Sequence, residues 1–418
     1  MKTIMFITNR FPFPNTDGRK NMLLQYIRQM KEIYPGSEIV NLSFVDDDRY
    51  LKHRPDEIDR LVCLELPGLA EKLFNVAIYS LLLRRWPLQV SAYYSRKTHR
   101  KIKEIVQSEK PELILYDMVR VAEYVSEEQG RQVLSYDDLL SLRYRRQLEW
   151  FHYIPSALGG FADKLPGKLK RLADVKFIQK WLINLESQLL GKYEKRVAAH
   201  FHHLIFTSPT EAESFQKVTR HESCYGIPMK FEPDGRQGSG PRRYDRNKLV
   251  FVGKMDIPHN SSAVVYFCER IWPKIKRKAP DATFYIVGKN PTAEVLQLQE
   301  AYPGVVVTGE VDDVKQIVSN CALMIAPLLF GTGIKTKIVE AMSWGVPVVT
   351  NQIGVEGISA NHSEDLFICD SDDEIVQNVL LLLSNPEINE KVSRNSVRYV
   401  AGHFSSSVTR KHMELILS

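Results

Sequence analysis

The sequence predicts an α/β fold of two doubly wound, Rossmann-like domains, each a parallel sheet with helices on both faces. Short β-rich runs alternate with helical patterns along the chain, and the first of them, TIMFIT, spans residues 3–8. The 418 residues, 44% of them hydrophobic, are too many for one ordinary core and suit two domains of roughly 200 residues each. Ligands of such sheets bind beyond the carboxyl ends of the strands, so we expect the active site in a cleft between two facing domains.

The predicted strands recur at regular intervals in both halves of the chain. In the first half they are TIMFIT, SEIVNLSFV, ELILYD, RQVLSYDD and HHLIFTS, and in the second KLVFVG, ATFYIVG, GVVVTG, ALMIAPL and VPVVT. Apolar residues at helical spacing predict a helix over about residues 18–31, an apolar helical region over 69–105 and an amphipathic helix over 166–199. Repeated strand–helix units of this kind are typical of parallel sheets.

The boundary between the domains is predicted from a change of composition. Residues 226–247 are rich in glycine and proline and poor in apolar residues, as linkers are. Residues 1–225 then form the first domain and residues 248–401 the second. An amphipathic pattern at the end of the chain predicts a helix over 402–418 that packs back on the first domain.

Charge and cysteine usage indicate the cellular compartment and the kinds of partner that the protein binds. The net charge is +6, and residues 143–180 contain nine Lys or Arg against three Asp or Glu. This stretch is a solvated helical face, a contact for an anionic membrane surface or a site for a phosphorylated substrate, and no motif accompanies it that would indicate nucleic acid. Five scattered cysteines and the lack of an apolar stretch of about 18 residues predict a cytoplasmic protein without a zinc site. Peripheral contact with the inner face of the plasma membrane is a further expectation.

The segment with the most candidate binding residues is APLLFGTGIKTKIVEAMSWGVPVVT, residues 326–350. A strand ends near Leu328, and a Gly-rich turn then opens a helix predicted from about Ile334 to Trp344. Free N–H groups at a helix start favour an anion, and Lys335 and Lys337 add positive charge. The carboxylate of Glu340 can accept hydrogen bonds from ribose hydroxyls. The residues predicted to line this turn are Gly331, Thr332, Gly333, Ile334 and Lys335.

The string GIKTKIVEAMSWGVPVV resembles the donor-binding motif of glycosyltransferase family four, a large group of retaining GT-B enzymes. The resemblance is greatest to bacterial polysaccharide transferases whose motif runs G-T-G-x-K. It implies the GT-B fold and a nucleotide-sugar donor whose ribose is held by Glu340. The family's other glutamate, eight positions earlier, corresponds to Thr332, so backbone groups of Gly333, Ile334 and Lys335 are expected to hold the sugar hydroxyls.

A second match to the family is VFVGKMDIPHN, residues 250–260. In the family a strand and a glycine, here Gly253, precede a basic residue that contacts the diphosphate, and Lys254 takes that place. The family has a lysine a few residues later, where this chain has His259 and Asn260. The resemblance therefore supplies one of the two expected phosphate cations in this segment.

Two weaker matches concern the N-terminal loop and the nucleotide base. Residues 8–22, TNRFPFPNTDGRKNM, resemble a loop whose glycine, here Gly18, lets the backbone reach the donor phosphate. Asp17 and Arg19 flank it and are candidates for contact with donor or acceptor. VVVTGEVDDV, residues 305–314, resembles the segment whose backbone reads the base. Its candidates are Gly309 and Val311.

The string LSYDDLLSLRYRR, residues 134–146, is similar to acid-rich strings of related enzymes. Asp137 and Asp138 would lie at the carboxyl end of a strand and contact the transferred sugar or the acceptor hydroxyl. The alternative is that they cap a helix, a position where Asp is also favoured. Arg143 in the same string is a candidate for acceptor contact.

The predicted function is transfer of a sugar, with retained configuration, from a nucleotide-diphosphate sugar to a glycan or lipid-linked acceptor in polysaccharide biosynthesis. The nucleotide sugar is a co-substrate, and no metal is expected because Lys254, Lys335 and the helix start stabilise the leaving diphosphate. Asp137 and Asp138 complete the candidate catalytic set. A nucleotide-sugar epimerase and a non-catalytic nucleotide-sugar-binding scaffold are the alternatives. The D-x-D strings at residues 46–48 and 370–372 are interpreted as acidic loops.

Overall fold

The computed structural model describes residues 2–14, 18–45, 49, 51, 54–126, 129–154, 175–233 and 242–417. Within them the chain forms two compact units. The first comprises Met1–Leu142, Leu185–Lys230 and Ser407–Ser418, and the second comprises Arg143–Asn184 and Phe231–Ser406.

Strands and helices alternate in both units. The strands are β1 (Thr3–Thr8), β2 (Glu38–Phe44), β3 (Arg60–Leu64), β4 (Leu113–Asp117), β5 (Arg131–Asp137), β6 (His203–Phe206), β7 (Cys224–Gly226), β8 (Asp245–Val252), β9 (Thr283–Val287), β10 (Val305–Gly309), β11 (Cys321–Ala326), β12 (Val348–Thr350) and β13 (Phe367–Ile368). The helices are α1 (Gly18–Ile33), α2 (Leu69–Asn75), α3 (Leu88–Tyr93), α4 (Arg96–Glu109), α5 (Leu140–Glu149), α6 (Lys176–Ala198), α7 (Pro209–Thr219), α8 (Pro258–Tyr266), α9 (Trp272–Lys278), α10 (Ala293–Ala301), α11 (Val314–Ser319), α12 (Thr336–Ser343), α13 (Asp372–Ser384), α14 (Pro386–His403) and α15 (Ser406–Leu417).

The first unit contains a parallel sheet in the order β3-β2-β1-β4-β5-β6-β7. Thr3 pairs with Glu38 of β2, and Ile4 pairs with Leu113 of β4, so the chain starts in the middle of the sheet. The core side chains on this sheet come from β1, α1, β4 and β6, and they are joined by Met413 and Ile416 of α15. The C-terminal helix therefore packs in the core of the first unit.

The second unit contains a parallel sheet in the order β10-β9-β8-β11-β12-β13. Its core is formed by fully buried side chains of the central strands and the helices that cover them, among them Phe251, Phe284, Ile325, Phe267 and Trp272. The carboxyl ends of β8, β9, β10, β11 and β12 lie at one edge because the strands are parallel. The predicted α/β class with two Rossmann-like parallel sheets is confirmed.

Residues 143–184 group with the second unit, whereas the sequence placed them in the first domain. The reason is an apolar contact, in which Ile154 and Ile183 pack against Leu329 and Phe330. Of the predicted linker, residues 234–241 lie outside the described part of the chain. Among the described residues, no helix combines the length and apolarity needed to cross a membrane.

Candidate functional site

The loop between β11 and α12 is the part of the second unit that was predicted to hold the donor. Gly331 and Gly333 have positive φ angles of 153° and 66°, a backbone region that glycine occupies without steric cost. Residues 331–335 are buried, and α12 begins at Thr336, slightly later than predicted. The loop and the first turn of α12 thus lie at the carboxyl edge of the sheet, and the N-terminal end of a helix favours an anion.

Lys335 turns back over this loop. Its ammonium donates hydrogen bonds to the carbonyl oxygens of Gly333 at 2.7 Å and of Thr332 at 3.3 Å. The same Nζ lies 3.9 Å from a carboxylate oxygen of Glu356. Lys335 is only 8% exposed, so a buried positive charge lies within the loop.

Two arginines of α5 bind the same loop. The Nε of Arg143 donates to Oγ1 of Thr332 at 3.1 Å, and Arg146 donates to the carbonyl oxygen of Gly331 at 2.8 Å. Arg146 also forms a bidentate ion pair with Glu356, with N···O distances of 2.6 and 2.7 Å, which is a strong geometry for this pair. Arg143, a candidate for acceptor contact, therefore lies against the predicted donor loop. Glu356 was missed because no motif marks it.

The turn after β8 leaves no room for a side chain at Gly253 unless its neighbours shift. A Cβ at Gly253 would lie 2.7 Å from both Cγ of Asn260 and Nζ of Lys337, closer than side-chain atoms pack. The next residue, Lys254, is half-exposed and forms an ion pair with Asp256 at 3.2 Å. The small residue at 253 thus lets a lysine of α12 approach the end of β8.

Lys337, which the sequence predicted to add positive charge beside the Gly-rich turn, lies against the segment that follows β8. Its ammonium donates a hydrogen bond to Oδ1 of Asn260 and lies 4.3 Å from the centre of the Phe251 ring. The Nδ2 of Asn260 in turn donates to the carbonyl oxygen of Lys254 at 2.8 Å. Burial, with a further contribution from the charge of Lys335, lowers the pKa of Lys337 to about 7. Helix α12 thus places a second lysine beside the β8 segment, which itself contains Lys254.

His259 lies in the same positively charged surroundings. Burial lowers the pKa of His259 well below its ordinary value, and the charges of Lys337, Arg143 and Lys335 lower it further. The imidazole is consequently neutral at pH 7. It can donate or accept a hydrogen bond there without adding another charge to the site.

Glu340 lies on the partly exposed face of α12. It follows Lys337 by three residues, so the two side chains are neighbours on the helix surface. The carboxylate of Glu340 makes no hydrogen bond or ion pair with any residue that the structure describes, and burial raises its pKa. The residues around it in the helix face the core, namely Ile338, Val339, Ala341 and Met342. Glu340 is therefore an acceptor group available to a ligand.

The predicted base-binding residues lie at the end of β10. Gly309 has a φ angle of 70°, and its carbonyl oxygen accepts a hydrogen bond from the N–H of Gly288 at 3.0 Å. A Cβ at Gly309 would contact nothing within 4 Å, so its backbone borders open space. Val311 follows in the next loop and is partly exposed.

The candidates of the N-terminal loop belong to the first unit. Gly18 is the first residue of α1, and Asp17 lies outside the described residues. Arg19 is buried and binds two carboxylates, with its Nε 2.7 Å from Asp117 and its NH1 3.2 Å from Asp137. Arg19 thus connects the start of α1 to the ends of β4 and β5.

The two predicted aspartates end β5 in different ways. Asp137 has a φ angle of 67°, and its carbonyl oxygen accepts from the N–H and the hydroxyl of Thr207 at 2.8 and 2.9 Å. Asp138 is 2% exposed. At the start of α5, the N–H of Ser141 donates to Glu194 at 3.1 Å, so a glutamate of α6 occupies one position of the cap that was predicted for an aspartate.

Glu194 leads to a prediction about stability. Burial, with a further contribution from the neighbouring carboxylates of Asp138 and Glu211, raises the pKa of Glu194 to about 8. The unfolded chain has an ordinary carboxyl pKa of about 4.3, so the folded state loses stability as the pH rises from about 4 to about 8. We expect Glu194→Gln to remove this loss, which is on the order of several kcal/mol. Urea unfolding of both proteins at the two ends of that range tests it, and parallel pH profiles would contradict it.

Of the two D-x-D strings, only the one at residues 370–372 lies in the described part of the chain. Residues 46–48 lie outside the described residues. Asp372 begins α13, where it accepts a hydrogen bond from the hydroxyl of Tyr266 at 2.6 Å and lies 3.6 Å from Arg270. Over the described ranges, no group of three His, Cys, Asp or Glu residues is arranged to hold a metal ion.

Part of the chain matches a known protein family. Residues 246–385 match the family model described as "Glycosyl transferases group 1", and this range contains β8 to α13 with the loop at residues 331–335. A protein of the cps region of Klebsiella pneumoniae, named as an uncharacterized 44.6 kDa protein, is 25% identical over 229 residues. The match covers 52% of this chain and 57% of that protein, so the chain spans little more than half the length of this curated relative.

Solved structures with the same fold cover nearly the whole chain. Sucrose-phosphate synthase from Thermosynechococcus elongatus is 15% identical with a TM-score of 0.63, covering 100% of this chain and 98% of that one. HepE from Anabaena, in complex with UDP and glucose, is 14% identical with a TM-score of 0.62 over 100% and 99% of the two chains. WaaG, a glycosyltransferase involved in lipopolysaccharide biosynthesis, is 13% identical with a TM-score of 0.62 over 99% of each chain. These matches confirm the predicted GT-B fold.

Proposed function

We propose that this chain, whose residues 246–385 match the group 1 glycosyltransferase model, transfers a sugar from a nucleoside diphosphate sugar to a glycan or lipid-linked acceptor. The observation that carries the proposal is the surface of α12. There Lys337 lies beside the end of β8, and Glu340, three residues on, has a carboxylate without a partner among the described residues. The cps-region relative and the UDP-bound HepE structure support a nucleotide-sugar enzyme of polysaccharide biosynthesis.

The diphosphate is proposed to lie at the carboxyl edge of the second sheet. Lys254, Lys335 and Lys337 supply positive charge there, and the N–H groups of the loop and of the first turn of α12 add donors. Such fixed groups stabilise the charge that develops on a leaving group, because they need no reorganisation during the reaction. Gly253 keeps room for Lys337, and Gly18 of the first unit is proposed to contact the phosphate as well.

The remaining parts of the donor are assigned by position. Glu340 would accept hydrogen bonds from two ribose hydroxyls, and the backbone of Gly309 and Val311 would contact the base. The sugar hydroxyls would meet the loop at residues 331–335, where Thr332 is bound by Arg143. Asp137 and Asp138, with Asp17 and Arg19, are proposed to contact the sugar or the acceptor.

The proposed reaction retains the configuration of the sugar and belongs to family four. The bond between the anomeric carbon and the phosphate oxygen breaks, and a bond to the acceptor oxygen forms on the same face. The proton of the acceptor hydroxyl passes to the departing phosphate oxygen. No pair of carboxylates is then required, in contrast to glycoside hydrolysis.

A turnover assay tests the proposal directly. The purified chain is incubated with a panel of nucleotide sugars, and release of nucleoside diphosphate is measured with and without glycan or lipid-linked acceptors. We expect one donor to be consumed, with transfer to an acceptor and retained anomeric configuration. Binding without turnover of any donor would indicate a scaffold, and a change of the sugar without release of nucleotide would indicate an epimerase.

Activity is expected to persist in the presence of EDTA. Positive charge from Lys254, Lys335 and Lys337 takes the part that a divalent ion plays in other transferases. The measurement is the initial rate of nucleoside diphosphate release before and after chelation. A complete loss of turnover that Mn²⁺ or Mg²⁺ restores would show that the enzyme depends on a metal.

The proposed cellular location follows from the proposed lipid-linked acceptor. We propose that the enzyme works in the cytoplasm and contacts the inner face of the plasma membrane, where lipid-linked acceptors are found. The basic residues 143–180 were predicted to make this contact. Arg143 and Arg146, however, bind the loop at residues 331–335, and residues 155–174 lie outside the described part of the chain.

A further inference from the structure

Residues 66–85 of the first unit expose an unusual number of large apolar side chains. In the described chain 13 large hydrophobic residues are exposed, and seven of them lie between positions 66 and 83. They are Leu66, Leu69, Leu73, Phe74, Leu81, Leu82 and Leu83. Leu69 and Leu82 are the most exposed of these seven, at 71% and 72%. Single exposed leucines are ordinary, but a contiguous apolar surface indicates a binding site.

The segment is held in this orientation by its polar residues. Helix α2 continues without interruption into a π-helical turn, Val76–Leu82. The buried side of this helix contains Asn75, whose amide donates to the carbonyl oxygens of Tyr94 at 2.8 Å and Ser91 at 3.2 Å. Ser80 is fully buried, and its hydroxyl lies 2.7 Å from that of Ser91. An ordinary surface helix buries its leucines and exposes its polar groups, and this helix does the reverse.

Positive charge borders the apolar surface. Arg84 and Arg85 follow the leucines directly and are exposed, and Lys72 lies within α2. At the start of α4, Lys97 is exposed and pairs with Glu65. A surface that combines exposed leucine and phenylalanine with flanking arginine and lysine matches the interface of a bilayer that contains anionic lipids.

We propose that residues 66–85 are the membrane-docking surface of this protein, inserting their apolar side chains at the interface of an anionic bilayer while Arg84 and Arg85 contact headgroup phosphates. This inference rests on the proposed function in one respect, since a lipid-linked acceptor is delivered at such a surface. It is separate from the basic residues 143–180, whose predicted membrane contact stays a prediction. The hydrogen bonds of Asn75 and Ser80 keep the leucines directed outward before any bilayer is present.

Sedimentation with lipid vesicles tests the proposal with the full chain. We expect binding to vesicles of phosphatidylglycerol and phosphatidylcholine, and weak binding to phosphatidylcholine alone. The double variant Leu73→Gln/Leu82→Gln should lower the partition coefficient at least tenfold. Both positions are exposed, so the fold should be retained, which far-UV circular dichroism and the melting temperature check. Matched controls are Val218→Gln and Leu296→Gln, which replace exposed apolar residues elsewhere and should bind as the unmodified protein does.

A second experiment tests the contribution of the two arginines to vesicle binding. Arg84→Gln/Arg85→Gln should weaken binding to anionic vesicles several-fold at about 0.1 M salt and much less at about 1 M, because salt screens the attraction. Unchanged binding of the leucine variant would overturn the proposal. So would a dimer of the unmodified protein that the leucine variant converts to a monomer, without vesicle binding by either, since the surface would then join two copies of the chain.

Failure of the proposed function would look different. Release of nucleoside diphosphate from a donor in solution, without vesicles, should be equal in the unmodified protein and in Leu73→Gln/Leu82→Gln. If neither protein turns over any donor but only the unmodified one binds vesicles, the docking surface stands and the transferase assignment is wrong.

Discussion

Nucleoside diphosphate affinity is expected to fall as the pH rises from about 7 to about 9. The pKa of Lys337 is lowered to about 7 by burial and by Lys335, so the free protein loses this charge over that range. A bound diphosphate favours the charged ammonium and raises its pKa, which means that binding takes up a proton above pH 7. Affinity is then highest below pH 7 and weakens by up to about tenfold per pH unit above it, until the pKa of the bound state is reached.

Titration calorimetry at several pH values measures this dependence, and repeating it in buffers of different ionisation enthalpy counts the protons taken up. Lys337→Arg keeps its charge throughout and should bind with a much flatter profile. Lys337→Met should bind weakly at every pH. The matched control is Lys254→Met, which removes an exposed lysine of the same site and should lower the affinity without removing the slope. An affinity of the unmodified protein that is constant from pH 7 to 9 would contradict the role of Lys337.

The parts of the site that the sequence predicts are contiguous along the chain. The turn at residues 331–335, Glu340 and the pair Gly253–Lys254 each belong to a single strand–turn–helix string, and the structure places each of these strings at the carboxyl edge of the second sheet. Their proposed roles stay predictions. The parts that were missed depend on contacts between distant residues. Arg146 and Glu356 are 210 positions apart, and Lys337 and Asn260 are 77 positions apart. No local sequence pattern predicts a contact between residues so far apart.

The boundary between the two units also depends on contacts between distant residues. Periodicity predicts a helix over residues 166–199, but it does not say which sheet the helix packs against. That choice is made by Ile154 and Ile183, which fit against Leu329 and Phe330. Likewise, the leucines of residues 66–83 have the composition of a core helix. Only the buried hydrogen bonds of Asn75 and Ser80 show that the opposite face is the inner one.

Glu340→Gln is expected to weaken nucleoside diphosphate binding about tenfold or more. A carboxylate that accepts two ribose hydroxyls makes charge-assisted bonds of about 1.5–3 kcal/mol each, and the amide keeps the shape but loses the charge. The melting temperature should stay the same or rise slightly. The reason is that the carboxylate has no partner among the described residues and its burial raises its pKa, so its charge is a cost to the unliganded fold.

An analogue without the ribose hydroxyls separates the ribose contact from other effects of the same change. The unmodified protein should lose about tenfold in affinity for the 2′,3′-dideoxy nucleotide, whereas Glu340→Gln should bind this analogue as the unmodified protein does. Such non-additivity is expected only when the side chain and the hydroxyls interact directly. If Glu340 instead served the fold of the second unit, its substitution would lower the melting temperature and leave the affinity for the ribonucleotide unchanged. That outcome would end the ribose assignment, and with it the main support for placing the donor along α12.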